Sequence, residues 1–89
     1  MLISYDPIKN DWNIAERGLS FELVADLDWG SARTREDTRR DYGECRLRVF
    51  ALLDDRLHMA VITYRGDAVH VISFRKANKK EVVWYGGAG

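Results

Sequence analysis

Arginines, lysines and one histidine carry the chemistry this sequence can offer. Arg46 and Arg48 stand two residues apart in "CRLRVFALLD", a spacing that places both on one face of an extended strand. Arg65 closes the stretch "LHMAVITYR"; Arg75 closes "AVHVISFR", which has His70 in its middle. If the three segments are consecutive antiparallel strands, the start of the first lies beside the end of the second and the start of the third. Arg46, Arg65 and His70 then approach one another, with Arg75 and Lys76 at the far end. A guanidinium fork suits phosphate oxygens, and imidazole exchanges protons near neutrality. RNA cleavage without a metal needs little more. A base takes the 2′-hydroxyl proton, cations hold the phosphorane, and an acid protonates the leaving 5′-oxygen. Tyr85 and Lys9 are further proton donors, and Trp12, Tyr64 and Trp84 could stack unpaired bases. Plainer roles compete: His70 as a half-exposed strand residue, Arg46 and Arg48 as solubilising charge, and Trp12 as a core residue between helix and sheet.

Other chemistries find no support. The chain has no phosphate-cradling glycine loop and no Gly-x-Ser-x-Gly elbow. One cysteine, Cys45, and two histidines, His58 and His70, stand in no zinc-ligand spacing, so neither metal nor cofactor is expected. A lone cysteine forms no internal disulfide and fits a reducing cytoplasm. No apolar run approaches the roughly 20 residues that span a bilayer, and "MLISYDP" lacks the pattern of a signal peptide. The formal net charge is zero, with 14 basic and 14 acidic residues. Basicity overall therefore argues nothing, but placement does. Residues 6–28 hold Asp6, Asp11, Glu16, Glu22, Asp26 and Asp28 against Lys9 and Arg17, whereas "RTREDTRRDYGECRLR" contains six arginines. A second basic group, Arg75, Lys76, Lys79 and Lys80, gathers where the last strand hands over to a helix.

At 89 residues the chain forms one domain, expected over 1–85 with a flexible tail at 86–89. "LISY" predicts a first strand. Asp6-Pro7 starts a helix that ends at Gly18, with Ile8, Trp12 and Ile14 or Ala15 near one face. Ser20 caps a second helix whose apolar side is Phe21, Leu23, Val24 and Leu27. "SARTRED" suits an edge strand and "TRRDYGE" a loop. Strands follow at 45–53, 57–65 and 68–75, joined by turns at "DDR" and "GD". Asn78 and Glu81 form a capping box opening a last helix. The expected class is α+β, with two N-terminal helices and a C-terminal helix packed on an antiparallel sheet. One sheet face is then covered by the N-terminal helices and the other is half open and rich in arginine.

Taken in order, the motifs resemble those of a known family. "DPIKNDWN" and "GLSFE" open the chain, "GECR" stands in its middle, and "TYRG" and "ISFRKANKKEVVWY" close it. Together they look like the BrnT-like toxins of bacterial type II toxin–antitoxin systems, over nearly the whole chain. The resemblance implies a RelE-like fold and a ribonuclease that cuts RNA and arrests translation. It also implies a cognate antitoxin, dimeric and DNA-binding, through which alone the pair meets operator DNA. The matching Lys9, Arg46, Arg65, Arg75 and Tyr85 are the better candidates for RNA. Catalysis is expected of Arg46, Arg65, His70, Arg75 and Tyr85, and RNA binding of Lys9, Arg48, Lys76 and Lys79. The chain departs from the pattern at Glu16-Arg17, at Ile62 and at His70. Those departures keep a second reading open: a toxin-like interaction module that binds its antitoxin, and RNA, without cutting.

Overall fold

The computed structural model describes residues 1–87. The elements run β1 (Leu2–Tyr5), α1 (Pro7–Arg17), 3₁₀ segments at Phe21–Asp26 and Trp29–Ser31, β2 (Arg33–Glu36), β3 (Leu47–Leu53), β4 (Arg56–Arg65), β5 (Ala68–Lys76) and α2 (Lys79–Gly87). Five strands form one sheet in the order β1-β5-β4-β3-β2. The expected α+β class holds, but the sheet is mixed rather than antiparallel: β1 runs parallel to β5, Leu2 beside Ala68 through Tyr5 beside Val71. The reason lies in the connection. β1 reaches β2 through α1 and the 3₁₀ segments, from one sheet edge to the other, so no hairpin dictates its direction.

The second N-terminal helix is a correction of another kind. Ser20 Oγ accepts from the Glu22 N–H as expected, yet the segment it caps is 3₁₀. Phe21, Val24 and Leu27 are all buried at a spacing of three, the period at which 3₁₀ side chains align. They fill one sheet face with Val49, Ala51, Ala60, Ile62, Val69, Val71 and Phe74. On the opposite face α2 brings Trp84 and Tyr85 over Phe50, Leu57, Met59 and Val61. Its capping box closes as the sequence predicts, with Glu81 N–H donating to Asn78 Oδ1 and Asn78 N–H to Glu81 Oε1, both at 2.9 Å. Gly86 and Gly87, expected in the tail, belong to α2; positions 88 and 89 lie outside the described residues.

Helix α1 turns its apolar residues outward. Ile8 is 79% exposed and Trp12 54%, which corrects the core role expected of the tryptophan. Asn10 and Asn13 face inward instead. β1 pairs only with residues 68–71 of β5, which leaves the rest of that edge without a strand. Asn13 Nδ2 donates to Phe74 O at that edge and to Leu19 O, each at 2.9 Å, and Asn10 Oδ1 accepts from the Phe21 N–H at 2.8 Å. Arg17 reaches Phe74 O as well, at 3.2 Å. Buried backbone groups need partners, and here that need outranks burial of the tryptophan.

Candidate active site

Three hairpin-linked strands converge on a cleft of about 400 Å³ lined by Tyr5, Asp6, Lys9, Arg46, Arg65, His70, Val71 and Ile72. The register explains the convergence. Leu47 pairs with Ile62 and Thr63 with His70, so the entry to β3, the end of β4 and the start of β5 are neighbours. Thr63 Oγ1 donates to Cys45 O at 2.8 Å, and Asp37 N–H to Arg46 O at 2.7 Å; these bonds hold Arg46 where the strand begins. A bulge shifts the β4–β5 register, Val61 opposing Ser73 but Ile62 opposing Val71. The extra residue, Ile72, lies against the cleft, as bulges re-aim side chains. Lys9 arrives from the first turns of α1, which Asp6 and Pro7 start at the end of β1.

Glu44 organises the cations. Its carboxylate binds Arg46 Nε at 3.0 Å and lies 3.6 Å from an Arg65 guanidinium nitrogen. The Arg46 hydrogen bond, with the charges of Arg46 and Arg65, holds the Glu44 carboxyl below its ordinary range. The Arg46 guanidinium also stacks 4.0 Å from the centre of the Tyr42 ring. His70 Nδ1 shares a 2.9 Å hydrogen bond with Ser4 Oγ across the parallel ladder. Burial first, then the charges of Arg65 and Lys9, push the imidazole below its usual pKa, against Glu44 and Asp6. The shift favours the neutral imidazole, the form that accepts a proton.

The other predicted residues stand elsewhere. Arg75 makes a two-pronged ion pair with Glu81, at 2.7 and 3.0 Å, which ties the end of β5 to the first turn of α2. Tyr85 donates its hydroxyl to Ser31 O at 2.7 Å and packs from α2 against the core of that sheet face. Arg48 borders a separate hollow with Arg35, Lys80 and Trp84, and Lys76 and Lys79 are exposed away from the cleft. The cleft thus unites Lys9, Arg46, Arg65 and His70, without Arg75 and Tyr85. Sequence reasoning gave no role to Glu44 or Ser4. The signal for Glu44 was its place two residues before Arg46. Of the departures from the motif pattern, Ile62 is buried on the opposite sheet face, and Arg17 is taken up by Phe74 O.

Residues 5–81 match the family model described as ribonuclease toxin, BrnT, of type II toxin–antitoxin system. The chain belongs to this family. Membership covers both the helix-start motif around Asp6 and the capping-box glutamate, Glu81. A comparison with curated proteins found no match. Family membership implies the toxin of a type II pair, described as a ribonuclease, with an antitoxin as partner. Among the described residues no group of His, Cys, Asp and Glu is placed to hold a metal, and no helix is long and apolar enough to cross a membrane.

Proposed function

We propose that this BrnT-family chain is a cytoplasmic endoribonuclease that cuts single RNA strands in the Lys9–Arg46–Arg65–His70 cleft, without a metal, and so blocks translation. The observation that carries the reading is the cleft that sets His70 beside the three cations Lys9, Arg46 and Arg65, in a chain of a ribonuclease toxin family. Nε2 of His70 takes the proton of the 2′-hydroxyl as the 2′-oxygen attacks phosphorus. Arg46 and Arg65 neutralise the phosphorane oxygens. The P–O5′ bond breaks, and the leaving 5′-oxygen takes a proton from Lys9. The products are a 2′,3′-cyclic phosphate and a free 5′-hydroxyl. Arg75 and Tyr85 support this chemistry through the position of α2 rather than by touching substrate. The partner is a dimeric, DNA-binding antitoxin, and the pair meets operator DNA through it.

One observation favours the non-catalytic alternative: Glu44 already occupies both guanidinium groups that a phosphate would use. Incubating purified protein with RNA in a chelator separates the two. Cyclic-phosphate ends that His70→Ala and Arg65→Ala abolish are expected. Salt-sensitive RNA binding with no cleavage product over a range of conditions would replace the nuclease by a binding module.

A further inference from the structure

A second cluster of positive charge on this sheet face lies beside the cleft rather than in it. Within the cleft Glu44 offsets Arg46 and Arg65. Next along β3, Arg48 stands directly opposite Arg35 of β2, a like-charge pairing that works against the sheet. Arg48 also buries its Nε with no hydrogen-bond partner among the described residues, an arrangement that folded proteins avoid. Lys80 joins them from the first turn of α2, where a cation opposes the helix dipole. The three line a hollow of about 220 Å³ walled by Phe50 and Trp84, with the Arg35 guanidinium 5.3 Å from the Trp84 ring centre. Glu81, the carboxylate at its rim, is already held by Arg75 and by the Asn78 N–H. Each feature costs stability, and a single anion relieves all of them.

The spacing along β3 indicates which anion. Arg46 and Arg48 project from the same strand face, about 7 Å apart along it, close to one nucleotide step of an extended strand. We propose that the Arg35–Arg48–Lys80 hollow is a second phosphate subsite, taking the phosphate next to the scissile one in an RNA strand laid along β3. The inference rests on the RNA-cleaving reading above. Continuity with a cleft that holds a proton carrier favours RNA over an acidic protein segment.

The test compares a 2′-deoxy dinucleotide carrying one phosphate with a 2′-deoxy trinucleotide carrying two, bound to wild-type protein across a salt series. The trinucleotide is expected to show a steeper dependence of log K on log salt, by about 0.7 for the added phosphate on a single strand. Arg35→Ala/Lys80→Ala, both at exposed positions, is expected to remove that increment, and so is Arg48→Ala once circular dichroism shows it folded. Equal slopes in wild type, or an increment that survives in the double variant, overturn the subsite. A tetraglutamate peptide that binds wild type and loses affinity in the double variant, while the trinucleotide gains nothing, assigns the hollow to an acidic protein segment instead. Failure of wild type to bind either oligonucleotide removes the RNA reading along with the subsite. Dinucleotide binding without the increment removes the subsite alone.

Discussion

In the proposed mechanism His70 and Glu44 divide the work of the cleft between a proton carrier and a clamp. As the proposed base, His70 acts only when neutral, and its pKa is depressed by burial and by Arg65 and Lys9. The acid limb of the cleavage–pH profile should therefore have its midpoint below the ordinary 6.5 of histidine. Activity is retained above that midpoint and lost as pH falls through it, and RNA cleavage measured from pH 4.5 to 8 locates it. A midpoint above 6.5 would exclude His70 as the base. His70→Ala should lower cleavage by about 10²–10⁴-fold, the usual share of a positioned acid or base, and remove that limb. Glu44 predicts a split result. Glu44→Gln deletes the negative charge between Arg46 and Arg65, so RNA should bind more tightly. Cleavage of the bound strand should slow, because both guanidinium groups lose their anchor. Parallel Kd and single-turnover measurements check this, and unchanged affinity would show that the carboxylate does not compete with phosphate. Arg46, Arg65 and His70 were legible together because consecutive hairpins fix which strand ends meet. Glu44 was harder to read. A carboxylate two residues from an arginine is commonplace, and only the fold shows that it spans two strands.

Local rules served most of the elements well, and failed where an edge had to be sealed. Asp6 on the Ile8 N–H, Gly18 in the left-handed region at φ 68°, the Asn78–Glu81 box and the alternation of β3 all follow from residue chemistry within a few positions. The inward face of α1 does not. Apolar spacing pointed to Ile8 and Trp12, but β1 is too short to cover β5, and the bare edge recruits Asn13 and Arg17. Nothing in α1 itself records the length of β1. Two substitutions test this inversion by urea unfolding. Asn13→Ala should cost about 2–4 kcal/mol, because it strips buried carbonyls of a donor, whereas Trp12→Ala should cost about 1 kcal/mol or less at its exposed site. The reverse order would restore the tryptophan to the core. The connection from β2 to β3 has its own clamp. Arg39 binds the buried Asp37 carboxylate through Nε and a terminal nitrogen at 2.7 Å each, and lowers its pKa to about 2. A folded-state pKa below the unfolded value contributes stability above about pH 4, lost as pH falls through about 2. The wild-type advantage over Asp37→Asn should thus be present at pH 7 and shrink below pH 4. The size expected is about 1–2 kcal/mol, trimmed because Arg39 is 57% exposed.

Across the whole molecule, a net charge of zero separates into two unlike surfaces. Asp11, Glu16, Glu22, Asp26 and Asp28 are all exposed along α1 and the turns that follow it, whereas Asp6 lines the cleft. Arg35, Arg48 and Arg75 project from the opposite sheet face, whose end carries Arg46 and Arg65 beside His70. The sequence showed the imbalance between segments, but only the β2–β3 and β3–β4 registers show that the arginines share a face. α2 covers the apolar part of that face and stops short of the cleft. The remaining surface suits an anion, and the proposed RNA and an acidic segment of the antitoxin would both want it. RNA and antitoxin should therefore compete. Titrating antitoxin into a complex with fluorescent RNA should release the RNA completely, with an apparent affinity that falls as RNA concentration rises. The exchange should weaken with salt, because both ligands rely on the same exposed cations. In cells, the chain expressed alone should arrest growth, and the antitoxin should restore it in proportion to the complex formed. A ternary complex in which RNA and antitoxin bind with undiminished affinity would place the antitoxin on the acidic side of the molecule. Neutralisation would then act through α1 and the contacts of Asn13 and Arg17 with the edge of β5, at a distance from the cleft.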